Sequence, residues 1–325
     1  MPAAFESSLR AALARAIAGV PERELARATE ALVSRYRSPQ AASEPILASR
    51  VHVAAYAAYR MPATTAAMRR VLGVVAKSGF APEVLLDLGG GTGAAAWAAA
   101  ETFPTLGRIT VLDQVDDALV LGRSLVVDGP SDALRTTRFE RAAIDRLPAL
   151  RADLVTVSYV LSELTAEQQA RLVQGAIDRG RVVAIAEPGT PDGYLRVLAA
   201  RQQLLQAGWT LLGPCPHELD CPLAQGDWCH FVARVSRSAD HRRLKGAELS
   251  YEDEKFSWVA AASPGTAEPR GSSGRVLRHP LKRKGFVEFE VCRPDGTAGR
   301  EVISKKAGDR YRAARDTDWG DELPV

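Results

Sequence analysis

Apolar positions over the first 80 residues recur at helical spacing. Leu9, Leu13, Ala16, Ile17 and Val20 form one stripe, and Met68, Val71, Leu72 and Val75 form another. Steps of three and four put such side chains on one helix face, so residues 1–80 are predicted to be a helical region. Pro62, a good first-turn residue, is expected to open the second helix and Gly79 to end it. From residue 83 the pattern changes to short continuous apolar runs: EVLLDLG (83–89), RITVLD (108–113), DLVTVSYV (153–160) and RVVAIAEPG (181–189). Continuous runs fit parallel strands buried on both faces. With helical stretches between them, they predict a doubly wound, Rossmann-like α/β sheet over residues 81–210.

Beyond residue 210 the segments HFVARVSRS (230–238), KFSWVAAA (255–262) and GFVEFEV (285–291) alternate as half-buried strands do. Between them EPRGSSGR (268–275) has the composition of a flexible loop. A small β-rich module is expected over 211–306. Residues 307–325 carry few apolar anchors, so that tail is expected to be mobile or ordered only on a partner.

Composition narrows the class. Hydrophobic residues make up 46% of the 325 and charged residues 25%, which excludes a fibrous or wholly disordered chain. No apolar run approaches the roughly 18 residues that span a bilayer. The opening MPAAFESSLRAALARAIAG lacks the apolar centre of a secretory signal. A soluble, cytoplasmic protein with no membrane partner is expected. The net charge of +3 hides a polarity: Arg234 to Arg315 holds 19 basic and 11 acidic residues, leaving 23 and 28 elsewhere. Such a basic C-terminal part suits a polyanionic partner, or is simply a solvated surface.

The chemistry begins at Asp87-Leu-Gly89-Gly-Gly91-Thr-Gly93, which follows the first strand and opens the helix AAAWAAAETF. Glycines permit a sharp turn and close ligand approach, and the N–H groups at the helix start suit an anionic group. Asp113 ends the next strand, 20 residues after Gly93, where a carboxylate can accept ribose hydroxyls. Gly89-x-Gly91-x-x-Ala94 also satisfies a dinucleotide fingerprint. However, an acid just before the first glycine resembles motif I of class I S-adenosylmethionine-dependent methyltransferases. In that family an acid sits beside the adenine where Asp145 stands, although Asp113 and Asp145 could merely cap helices, Asp145 almost as readily as contact a ligand. No catalytic group is evident, since the chain has no N/D-P-P-Y motif. Glu163 and Glu187 lie at strand ends on the ligand side, as candidate bases or structural carboxylates.

All four cysteines fall late in the chain. Cys215, Cys221 and Cys229 form a compact trio, and Cys292 follows after 62 intervening residues. Four thiolates suit an iron–sulfur cluster or a structural zinc, but the absence of a C-x2-C pair argues against an ordinary zinc ribbon. His217 and His230 adjoin the trio as alternate ligands, or as outer or surface groups. Arg278, Lys282, Arg283 and Lys284 cluster before the Cys292 strand and suit phosphate contact. Trp258, Phe286 and Phe289 could stack on unpaired bases or fill a core.

Taken in order, YRMPAT (59–64), DLGGGTG (87–93), YVLSEL (159–164), EPGTPDG (187–193), CPHELDCP (215–222) and WCHF (228–231) resemble a known family. It is the family of methyltransferase-like small-ribosomal-subunit assembly proteins. Its mitochondrial members assist the small subunit, and its bacterial members are often labelled ribosomal RNA methyltransferases. The resemblance spans about residues 45–300 and implies a class I S-adenosylmethionine methyltransferase fold. It further implies that Cys215, Cys221, Cys229 and Cys292 hold a four-iron–four-sulfur (4Fe-4S) cluster. Asp87, Gly89, Gly91, Gly93 and Asp113 would line the S-adenosylmethionine site, and small-subunit ribosomal RNA would be the partner, with or without methylation.

Overall fold

The computed structural model describes residues 2–21, 23–25, 27–28, 50–223, 226–236, 251–267 and 273–325. Strands β1 (Val84–Leu88), β2 (Arg108–Asp113), β3 (Arg138–Arg141), β4 (Leu154–Ser158) and β5 (Val182–Pro188) are mutually parallel. Residues in β1, β4 and β5 are buried almost without exception, as continuous apolar runs require. Next come β6 (Thr210–Gly213), β7 (Phe231–Ser236) and β8 (Tyr251–Ala262). The sheet order is β3-β2-β1-β4-β5-β8-β6, with β7 also on β8. An antiparallel strand, β8, wedged between β5 and β6 completes the sheet.

The expected module over 211–306 therefore divides between two sheets. β8 is antiparallel to β5 over seven register pairs, Val182↔Ala262 to Pro188↔Phe256, and its AAA end is wholly buried. Only β9 (Arg275–Val276), β10 (Leu281–Arg283), β11 (Phe286–Cys292) and β12 (Ala298–Ser304) form the second, four-stranded sheet. Residues 268–272 of the proposed flexible loop lie outside the described residues, whereas Arg275 is buried in a strand.

Two further expectations change. Pro62 sits inside the helix Arg50–Lys77 rather than at its start. Met61, Ala63, Ala67 and Met68 around it are fully buried, and that packing outweighs the lost backbone bond. The tail is ordered in the structure. It forms the helix Asp309–Asp316 and buries Tyr311, Ala314, Trp319 and Leu323. Trp319 donates its indole N–H to the His230 carbonyl, 2.9 Å away. A few well-placed anchors suffice because they meet preformed apolar surface. No described helix is long and apolar enough to cross a membrane.

Candidate cofactor pocket and cysteine centre

The glycine loop turns where β1 meets the helix Ala94–Thr102. Gly89, Gly91 and Gly93 all have positive φ (67°, 53° and 87°), which side chains rarely adopt. Gly90 is glycine for want of space: a Cβ there would overlap Asp87 Oδ2 and come within 2.8 Å of Val111 Cγ1. The loop is tied to β2, since Gly89 N–H donates to the Leu112 carbonyl (2.8 Å) and Gly91 N–H to Asp113 Oδ2 (2.8 Å). Asp113 Oδ1 also accepts from Val115 N–H at 2.9 Å. A carboxylate offers about four lone-pair sites, so Asp113 keeps capacity for ribose hydroxyls.

Asp87 lies fully buried beneath this loop. Its Oδ1 accepts from the Thr156 hydroxyl at 2.7 Å, while Oδ2 has no partner. Burial pushes its pKa up to about 7, against the Thr156 hydrogen bond that lowers it. An orphaned, buried acceptor under the turn suits a donor brought by a ligand. These features fit S-adenosylmethionine, whose cationic methionine end and ribose would supply donors here.

The loop after β4 forms the opposite wall. Tyr159 takes a left-handed backbone (φ 58°), a conformation that needs support from its surroundings. Its hydroxyl donates to Glu254 Oε1 (3.0 Å), and Arg60 grips the same carboxylate through two bonds of 2.9 and 3.1 Å. Glu187 accepts from Leu161 N–H (3.0 Å) and from Arg196 Nε (2.8 Å), so it is a structural cap. Glu163 is different. Burial, reinforced by the Asp113 and Glu187 charges, pushes it up to about 8. Tyr56, raised to about 12 by burial, feels Arg60, Glu163 and Asp113 together. The helix Arg50–Lys77 thus brings Tyr56 and Arg60 near these carboxyls, a role that sequence reading had not given it. The hydroxyl-bearing Thr64 and Arg60 of the YRMPAT block were the available signal.

The raised carboxyls set a pH dependence. A carboxyl that is easier to protonate when folded stabilises the protein fully below its unfolded pKa, and that stability is lost as pH rises. Between about pH 4 and 7, the Asp87 contribution is therefore expected to decline. Asp87→Asn should flatten the curve of melting temperature against pH over this window. An equally steep curve in the variant would contradict this assignment.

The cysteines converge. Cys215 and Cys221 lie in the loop after β6, Cys229 precedes β7, and Cys292 ends β11 in the other sheet. All four line one cavity with Tyr194 and His217. The Tyr194 hydroxyl donates to Cys221 Sγ at 3.1 Å, and His217 Nε2 is 3.3 Å from Cys292 Sγ. Burial pushes Cys215, Cys229 and Cys292 upward, Cys292 to about 12, and the charges of neighbouring thiols add to the rise. None forms a disulfide. Among the described residues no three His, Cys, Asp or Glu side chains are gathered as ligands of a metal ion. Four thiols lining one cavity are a donor set that suits either an iron–sulfur cluster or a structural zinc.

Other expected site residues fall elsewhere. Asp145 is exposed and paired with Arg171 at 3.2 Å, because its short helix Ile144–Arg146 abuts the helix Ala166–Arg179. His230 is buried between Trp228 and Trp319, and His217 is also buried, so neither is a surface group. Trp258 and Phe289 are core and Phe286 is half-buried, which removes the first two from base stacking. Arg278 and Lys282 are paired with Asp227 and Asp318. Arg283 and Lys284 remain exposed, and the Lys305 N–H···Gly285 carbonyl bond (2.8 Å) brings exposed Lys305 and Lys306 beside them.

Comparison with known proteins places these features in a family. The mitochondrial small ribosomal subunit Rsm22 family matches residues 50–324, so the match reaches through the tail. Human mitochondrial ribosome assembly protein METTL17 is 30% identical over 263 residues, 76% of this chain and 56% of that protein. The mitochondrial Rsm22-cox11 tandem protein 2 of Schizosaccharomyces pombe is 25% identical over 301 residues, 74% of this chain and 38% of its own. The chain thus spans about half or less of these relatives. A solved precorrin-6y C5,15-methyltransferase from Geobacter metallireducens overlays 59% of this chain and 86% of its own, at 16% identity and a TM-score of 0.37. On its own match, covering most of its length, this chain belongs to the mitochondrial small ribosomal subunit Rsm22 family.

Proposed function

We propose that the protein binds S-adenosylmethionine and assists assembly of the small ribosomal subunit through contact with its RNA, with a 4Fe-4S cluster joining its two sheets. The observation that carries this reading is the convergence of Cys215, Cys221, Cys229 and Cys292 on one cavity. When bound, S-adenosylmethionine supplies an electrophilic methyl group. This chain's own residues bind and orient: Asp113 holds ribose hydroxyls, Asp87 Oδ2 accepts a donor through the glycine loop, and Tyr159 and Arg60 fix the far wall. The relative's name, ribosome assembly protein, supports the assembly role. A reducing compartment such as the cytoplasm keeps the four thiols available.

Exposed Arg283, Lys284, Lys305 and Lys306 provide the phosphate-binding corner. Replacing all four with Gln is expected to weaken binding to immature small subunits at least tenfold. It should also flatten the dependence of affinity on salt, because fewer counterions are released. Binding that keeps the same salt slope would count against RNA docking at this corner.

Glu163 favours a second reading, in which the protein also methylates its target. Its carboxyl, pushed up to about 8 by burial, can in its ionised form accept a proton from an attacking nucleophile. Transfer of tritiated methyl from S-adenosylmethionine to immature subunits, abolished in Glu163→Gln, would support catalysis. Absence of transfer with retained subunit binding leaves the assembly role alone.

A further inference from the structure

Two arginines sit where a neutral cluster of thiols gives no reason for them. Arg201, on the helix Pro191–Gln206, is 3% exposed, and Arg275, at the start of β9, is 6% exposed. Both line the cavity that holds the four cysteines. Arg201 donates to the His217 and Leu219 carbonyls (3.2 and 2.7 Å), inside the loop between Cys215 and Cys221, while its Nε finds no hydrogen-bond partner. Arg275 donates to the Pro214 and Gly320 carbonyls (2.9 and 3.0 Å).

Carbonyls satisfy N–H groups but leave the charges uncompensated, and a buried, unbalanced guanidinium is strongly unfavourable. Among the described residues no carboxylate is paired with Arg201. Glu322 stands 3.8 Å from Arg275 and is half exposed. The contrast is Arg278, whose charge is taken up by both oxygens of Asp227 at 2.6 Å. Four thiolates around an oxidised iron–sulfur core make a dianion, and so do four thiolates around Zn2+.

We infer that Arg201 and Arg275 are the buried counter-charges of a dianionic cysteine centre, positioning its ligands and setting its reduction potential. This rests on the cluster reading above for the redox consequence. One-electron reduction adds a negative charge to the centre. Removing a neighbouring positive charge then disfavours the reduced state and lowers the midpoint potential.

The test uses anaerobically purified full-length protein and its Arg201→Gln, Arg201→Lys, Arg275→Gln and Arg275→Lys variants, with iron, sulfide and zinc measured first. In iron-loaded protein, each Gln variant is expected to shift the reduction equilibrium at least tenfold towards the oxidised form, 59 mV for one electron, and each Lys variant to restore most of it. Reduction equilibria of both Gln variants within twofold of wild type overturn the counter-charge proposal and leave the cluster standing. Stoichiometric zinc without iron overturns the cluster reading. The counter-charge proposal then still holds if the Gln variants, and not the Lys variants, release zinc to a chelator tenfold faster. Where a Gln variant loses its centre outright, retention by the matching Lys variant supports the proposal. Equal loss from Lys and Gln variants overturns it, as does protein that carries neither metal.

Discussion

Cys292→Ser is expected to empty the cysteine centre and loosen the four-stranded sheet against the rest of the molecule. Cys292 ends β11 and is the cysteine contributed from that sheet; the other three lie on the loop between β6 and β7. Metal binding that joins distant segments becomes folding energy, so removing one ligand removes the link. The small sheet has a core of its own, built on Val276, Val287, Phe289, Val291 and Ile303 with Tyr311 and Leu323 from the tail. That core is too small to stand alone. Amide exchange over residues 286–304 should accelerate by about a hundredfold, close to 2.7 kcal/mol of lost protection, with β1, β4 and β5 little changed. Unaltered protection and protease resistance in the variant would show that the thiol does not staple the sheets.

Gly90→Ala is expected to damage the cofactor pocket as severely, by a different route. The added methyl collides with Asp87 Oδ2 and Val111 Cγ1, both fully buried. Overpacking of this kind costs about 1–3 kcal/mol, and relief by moving Asp87 breaks its bond to Thr156. The variant should melt several degrees lower and lose measurable S-adenosylmethionine binding by calorimetry. Gly107→Ala is a useful control, because a Cβ there meets nothing within 4 Å. A Gly90→Ala protein with wild-type melting and affinity would remove the argument for a ligand-ready turn.

Much of this architecture was legible along the chain because its central strands are buried on both faces. Such strands must read as unbroken apolar runs, and β1, β2, β4 and β5 fall within a residue or two of where those runs sit. The glycine loop and its acids were legible for a related reason, since turn geometry demands glycine locally. The position of β8 was not legible. Its alternation shows a strand but not its neighbours, and only tertiary pairing puts Trp258 beside Ala186 in the main sheet. The order of the tail rests on a handful of anchors such as Trp319, which composition undervalues.

The site residues divide in the same way. Four cysteines announce a centre through their rarity and spacing, but Arg201 and Arg275 are two among many basic residues until burial singles them out. Tyr56 and Arg60 lie one turn apart on a helix, but Glu254 comes from a distant part of the chain and no local pattern links it to them. Asp145 had the right sequence position, yet its carboxylate is paired on the surface with Arg171. Exposed charges find nearby partners, and sequence order alone does not reveal which.

The most direct measurement is metal and sulfide content of the full chain purified without oxygen. The cavity shared by Cys215, Cys221, Cys229 and Cys292 predicts about four iron and four inorganic sulfide per chain, all lost in Cys292→Ser. Iron-free protein, whether loaded with zinc or carrying four titratable thiols, would contradict the account.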